Sequence, residues 1–171
     1  MIELAPYSNA AAMQVARHLD AYDLLEAQIL RAQPIDHLDI FADWRSVQPG
    51  AVLSLVLCDA SAGGMPFGLL GLVNTGQAGV ANAALIARDH GVWRRPLAVA
   101  GLQIRRQMPA FCAEWGIHRI EARCWAEHPT AARFLRACGF THDCDLPGYG
   151  PGGGHTFQQF AWTNHDPIIG D

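Results

Sequence analysis

The chain has 171 residues and a formal net charge of −4, enough for one domain with its own core and too little positive charge for a general attraction to nucleic acid or an anionic membrane. All 12 basic side chains are arginine, which excludes a Schiff-base lysine or a lysine general base. The five cysteines, Cys58, Cys112, Cys124, Cys138 and Cys144, are odd in number and mostly on apolar positions, which predicts reduced core thiols and a cytoplasmic protein.

Neither a charged-then-apolar leader nor an apolar run near the ~20 residues of a membrane span occurs, so the expectation is a soluble chain with no export signal of its own. Residues 1–6 read as a strand, and Ser8 or Asn9 caps an alanine-rich helix whose apolar face is Val15, Leu19, Leu24, Leu25 and Leu30. The pattern leaves open whether 20–23 divides that helix. Pro34 opens a second helical stretch with Leu38, Phe41 and Trp44 about three apart, ended by Pro49 and Gly50.

The period then changes to two. Runs at 52–59, 66–73 and 79–87, joined by turns with glycines at 63, 64 and 76, predict three neighbouring antiparallel strands. From 92 to 115, Leu97, Ala100, Ile104, Met108, Phe111 and Trp115 step at three and four, as on a long helix. Pro109 falls inside it and predicts a kink between 105 and 109.

The most informative stretch is GIHRIEARCWAEHPTAARFLRACGF, 116–140. Ile120, Ala122 and Cys124 alternate with polar residues as on a strand, Pro129 marks a helix start, and Gly139 suits a left-handed exit from that helix. Two further strands, 141–145 and 156–163, flank a glycine-rich loop at 147–154 that covers an acceptor site, engages a partner, or is a plain hairpin tip. Residues 164–171 read as a loose tail. The order predicts one α+β domain over 1–171, a single mixed sheet in an α/β/α arrangement. Cys124 faces the core, Trp93, Trp115 and Trp125 are expected there too, and the histidines and cysteines lack the spacing of a metal site.

This order, together with HPTAARFLRACGF, resembles the GNAT superfamily of acyl-CoA-dependent N-acyltransferases over nearly the whole chain. The resemblance implies that acetyl-CoA, or another acyl-CoA, is a co-substrate whose acyl group passes to an amine by direct attack. It implies that Ile86 and Ala87, at the end of the fourth strand, pair with the pantetheine arm. Arg94 and Arg95, with the amides of Ala98, Val99 and Ala100, would hold the pyrophosphate, since free N–H groups at a helix start suit phosphate. His128 and Ala131 would line the acyl end.

The chain also departs from the family pattern. Ala98 stands where the pattern has its first glycine, a cost of roughly 1–2 kcal/mol if positive φ is needed, and Pro96 deletes a donor. His128 replaces a frequent Asn, and Leu135 replaces the Tyr that often protonates the departing thiolate. General acid catalysis contributes about 10²- to 10⁴-fold, whereas positioning alone can contribute more. His128 has a second reading as a helix cap, and Arg94 and Arg95 as a solvated helix start. Glu121 and Asp89 are the carboxylates nearest the implied cleft, and neither is assigned as a base. A narrower likeness, through Val92-Trp93-Arg94 and ARFLRACG, is to small GNAT-like internal virion proteins of tailed phages. It implies a second reading, a non-catalytic assembly protein with virion proteins as partners. A homo-oligomer is compatible with both.

Overall fold

Alternation along three adjacent strands places Leu55, Leu70 and Leu85 side by side on one face, and the sheet extends in both directions from that ladder. The computed structural model describes residues 2–164. Its strands are β1 (Ile2–Pro6), β2 (Ala51–Asp59), β3 (Met65–Asn74), β4 (Val80–Ala87), β5 (Arg119–Trp125), β6 (Thr141–Tyr149) and β7 (His155–Thr163). They form one sheet in the order β1-β2-β3-β4-β5-β7-β6, antiparallel throughout except for the parallel pair β4 and β5. This is the mixed α+β sheet that the sequence predicts.

Helices cover both faces. On one lie α1 (Asn9–Arg17), α2 (Ala21–Arg31) and α3 (His37–Ser46), with Ala12, Val15 and Trp44 packed on Val56 and Leu69. On the other lie α4 (Arg94–Trp115) and α5 (Ala131–Ala137), with Met108, Cys112 and Cys138 packed on Leu72, Ile120 and Cys124. No helix among the described residues is long and apolar enough to cross a membrane.

Local signals settle the boundaries, one that the sequence left open and others against expectation. The first helical stretch is divided, because Asp20 accepts the Tyr22 N–H and so caps a new helix. The next helix starts at His37 instead of Pro34, where Asp36 and Asp39 form a reciprocal capping box. α5 likewise begins at Ala131, two residues beyond Pro129, and leaves through Gly139 at φ 96° as its sequence suggests. α4 runs through Pro109 as one helix. Buried Met108 and Cys112 flank the proline and hold both halves on the sheet, so packing outweighs the lost hydrogen bond. Trp93 and Trp125 are buried, but Trp115 is 55% exposed and stacks on Phe111. The anticipated tail at 164–171 lies outside the described residues except for Asn164, whose amide donates to the His118 carbonyl at 2.9 Å.

The central feature is where β4 and β5 separate. Their pairing is confined to Val80–Arg119, Ala81–Ile120 and Asn82–Glu121, although β4 continues to Ala87 and β5 to Trp125. Arg88 donates to the Phe67 carbonyl and Thr75 to that of Val80, so even-numbered residues of β4 bond to β3 and odd ones turn toward β5. By the same alternation the bonds from Asn164 to His118 and from Ala126 to Thr156 turn Arg123 and Trp125 toward β4. A wedge therefore opens between Leu85 and Ala87 on one side and Arg123 and Trp125 on the other. Beyond it, the glycine-rich turn after β6 leans on α2: at Gly150, with φ 72°, a side chain would meet Ile29 and His155.

Gly79 sets up the narrow end of the wedge. Its carbonyl accepts the amides of His118 and Arg119, its φ is 67°, and a Cβ would collide with the His118 ring. Gly79→Ala is expected to cost about 1–2 kcal/mol from the left-handed backbone alone, read as a lower midpoint in denaturant unfolding.

Candidate functional site

Asp20, Asp23 and Glu26 recur every three residues, which places their carboxylates along one side of α2. That side lies across the wide end of the wedge. Asp23 Oδ2 accepts the Ala87 N–H at 2.9 Å, and Glu26 Oε2 accepts the Trp125 N–H at 2.9 Å. Asp20 completes the bridge: its backbone N–H donates to the Ala87 carbonyl at 2.9 Å, and its Oδ2 accepts the His90 N–H at 2.8 Å. Both backbone groups of Ala87 and the amide of Trp125, at the ends of the separated strands, are thus satisfied by one helix and its cap.

Two histidines close the network. His128 Nδ1 accepts the backbone N–H groups of Thr130 at 3.3 Å and Ala131 at 3.1 Å. That nitrogen is therefore unprotonated, and the proton sits on Nε2, which donates to Asp23 Oδ1 at 3.0 Å. His128 is the cap of α5, one of its two sequence readings, and its buried ring is spent on that cap and on Asp23. His90 Nδ1 lies 2.8 Å from Thr130 Oγ1, and its Nε2 lies 3.4 Å from Asp23 Oδ2.

Asp20, Asp23, His90 and His128 bring their ligating atoms within 4.8 Å of one another, a grouping that no His or Cys spacing in the sequence signals. The donor set does not suit a metal ion. His128 offers no lone pair on Nε2 while Nδ1 caps α5, and both Asp23 oxygens already accept hydrogen bonds.

Burial and specific partners oppose each other in the titration of these groups. Burial pushes the Asp23 carboxyl up, but the hydrogen bonds from His128 and the Ala87 amide, with the nearby His90, outweigh it and leave the pKa below the usual value. It disfavours the His90 cation, yet Asp23, with Asp20 and Asp89, outweighs it and raises the pKa. For Glu26 burial prevails over the Trp125 amide and His128, and its pKa is pushed up to about 7.

A cavity of about 1250 Å³ runs through this region. Tyr22, Glu26 and Leu30 line it on the α2 side, and Leu55, Leu70 and Ile104 on the α4 side. Its walls thus include both faces of the sheet.

The residues singled out in the sequence fall unevenly around it. Ala87 and Ala131 lie at the wedge, but Ala87 has both backbone groups engaged by α2, and the Ala131 amide is bound by His128. Ile86 is bonded to β3, and its side chain packs toward α1 and α3. Leu85, which was not singled out, faces the opening. Arg94 and Arg95 are exposed in the first turn of α4, beside a hollow of about 420 Å³. Trp93 and Leu97 bond to the carbonyls of Asp89 and Trp93, so the amides of Arg94 and Arg95 are the ones without an intrahelical partner. Those of Ala98, Val99 and Ala100 come after the first turn and bond within the helix.

Other candidates are spent on structure. Asp89 caps the turn through the Gly91 and Val92 amides, and Glu121 pairs with Arg119 at 2.7 Å. Burial pushes the Cys124 thiol up to about 12, as befits a core residue, and Leu135 puts an apolar side chain into the cavity. Sequence reasoning missed Asp20, Asp23, Glu26 and His90; the signal was the three-residue recurrence of carboxylates on an otherwise amphipathic helix.

Glu26 gives a stability test. Between its usual value of 4.5 and about 7, the folded chain holds a proton that the unfolded chain has released, so stability falls as pH rises through that window. Glu26→Gln keeps an oxygen for the Trp125 amide but does not titrate. Its stability relative to the parent should rise by up to about 3 kcal/mol from pH 4.5 to 7.5, measured by denaturant unfolding at several pH values. His128→Ala removes the α5 cap and a hydrogen bond to the Asp23 carboxylate, and should cost about 2–3 kcal/mol by the same method.

No protein-family model and no curated protein sequence matches the chain. Solved structures do match. The YncA protein of Salmonella typhimurium, determined with its cofactor acetyl-CoA, is 14% identical with a TM-score of 0.63, over 99% of this chain and 98% of that one. A GNAT-family acetyltransferase of Bacillus anthracis is 10% identical with a TM-score of 0.71, over 95% and 94%. Spermidine N-acetyltransferase of Vibrio cholerae, in complex with CoA and spermine, is 13% identical with a TM-score of 0.65, over 95% of each chain. The narrower likeness to phage virion proteins draws no support from these matches. Along nearly its whole length, this chain has the fold of the GNAT acetyltransferases.

Proposed function

We propose that the protein transfers an acyl group, acetyl in the simplest case, from acyl-CoA to an amine by direct attack, with no covalent enzyme intermediate. The observation that carries this reading is the wedge between β4 and β5 and the cavity that reaches it from both faces of the sheet. Such a passage lets a thioester and an amine approach one point from opposite sides, which suits a ternary complex.

The residues present fit acyl-CoA in part. The edge of β4 at Leu85 offers backbone groups to an extended arm, and the apolar cavity wall suits its methylenes. The free amides and guanidinium groups of Arg94 and Arg95 suit a pyrophosphate. In this reading Ala98, Val99 and Ala100 contribute the helix behind those amides, and His128 and Ala131 flank the acyl end. The Ala87 amide, held by Asp23, becomes available only if α2 yields. Leu135 supplies no proton to a departing thiolate, so catalysis rests on positioning and on groups elsewhere in the cavity.

Pro96 and Leu135 favour the competing reading, a protein that keeps the scaffold for interaction without catalysis. Calorimetric titration with acetyl-CoA and with CoA separates the two. Micromolar binding, weakened about tenfold or more by Arg95→Ala through loss of charge-assisted hydrogen bonds, is the outcome expected of the acetyltransferase. Absence of heat and of thermal shift at millimolar CoA would select the scaffold.

A further inference from the structure

Among the three carboxylates of α2, Glu26 alone keeps an oxygen for a ligand. Asp20 spends its two oxygens on the Tyr22 and His90 amides, and Asp23 spends its two on His128 and Ala87. Glu26 is held at Oε2 by the Trp125 amide, and no hydrogen bond reaches its Oε1 among the described residues. The bond to Trp125 fixes the carboxyl at the end of β5, on the β4 side. Glu26 also lines the cavity on the face of α2, with Tyr22 and Leu30, opposite the face that α4 and α5 cover.

An alkylamine of ordinary basicity, with a pKa near ~10.4 as in lysine, arrives at neutral pH as an ammonium ion without a lone pair. It must lose a proton before it can attack a thioester. Resting on the acetyltransferase reading, we propose that the acceptor is a primary alkylamine bound as its ammonium ion, and that Glu26 Oε1 receives its proton. In that step an N–H bond breaks and an O–H bond forms on Glu26. The freed nitrogen lone pair forms the C–N bond at the thioester carbonyl, the C–S bond breaks with its electron pair on the CoA sulfur, and the second proton that the nitrogen sheds on becoming an amide passes to that thiolate, giving the CoA thiol.

The surroundings suit this task. Burial holds the Glu26 pKa at about 7, so the carboxylate and the acid are both populated near neutrality. The charged and titratable groups around it are Asp23 and Tyr22 on α2, Asp20 at its cap, His90 before α4, His128 before α5, Arg123 and Cys124 on β5, and Tyr149 at the end of β6. Asp23 is tied to both histidines, which leaves Glu26 as the carboxylate open to an incoming cation.

A purely structural role would have Glu26 only fasten α2 to β5. Glu26→Gln separates the two roles, since its amide oxygen still accepts the Trp125 N–H. The test uses the intact protein with acetyl-CoA and three probe amines, n-butylamine, spermidine and an alanyl peptide, from pH 6 to 9. Expected are acetylation of at least one probe and a break in kcat/KM near pH 7. In Glu26→Gln, kcat should fall about 10²- to 10³-fold, the break should vanish, and acetyl-CoA affinity should stay the same. Infrared titration of the free protein should show a carboxyl band that ionises near pH 7 and is missing in the variant. An unchanged rate and pH profile in Glu26→Gln, absence of that band, or acetyl-CoA binding with none of the amines acetylated would each overturn the proposal while leaving the cofactor reading standing. Failure to bind acetyl-CoA at all would bring down the acetyltransferase reading and this proposal with it.

Discussion

Two strands that stop pairing before they end leave backbone donors and acceptors facing a gap, and such groups must find partners. Here the partners at the two strand ends come largely from one side of one helix. Asp23 and Asp20 take the end of β4, Glu26 takes the end of β5, and the connection between them is α2 itself. The placement of α2, the orientation of His90 and His128, and the shape of the cavity all follow from that requirement. Without the parting of β4 and β5 there would be no opening. Without α2 the opening would be a pair of raw sheet edges.

The same arrangement sets the electrostatics. Three carboxylates brought together in a partly buried space cannot share one fate. At Asp23 the two imidazoles and an amide outweigh burial and stabilise the anion, whereas at Glu26 burial prevails over one amide and His128, and Asp23 adds repulsion. Their pKa values are driven apart, one below and one well above the ordinary range. His128 shows how closely fold and chemistry are joined: one ring nitrogen starts a helix while the other holds Asp23.

Much of this fold was legible in the sequence. Period-two runs located the strands, and the strand–turn–helix at 116–140 located β5 and α5, because apolar periodicity and glycine placement are local signals. Helix starts were less legible, since Asp20, Asp36 and Thr130 compete with nearby prolines as punctuation and the choice depends on what the helix packs against. The site was least legible. Ile86 and Ala98 were picked by position along a motif, but which way an amide points depends on the pairing of β4 with β3 and on where α4 begins. Glu26 and Trp125 lie 99 residues apart in the chain, and nothing local in either stretch announces that contact.

The close approach of Gly150 to Ile29 gives the outer hairpin a grip on the far end of α2. That end of the helix also packs with Trp125, Phe157, Leu146 and Tyr149, so strands β5, β7 and β6 hold it as a group. The rim of the sheet is therefore geared to the helix that spans the gap. Bending the hairpin outward would draw on the same lever that keeps the two strand ends bridged, so a perturbation at the molecule's margin would register at its centre without crossing the sheet.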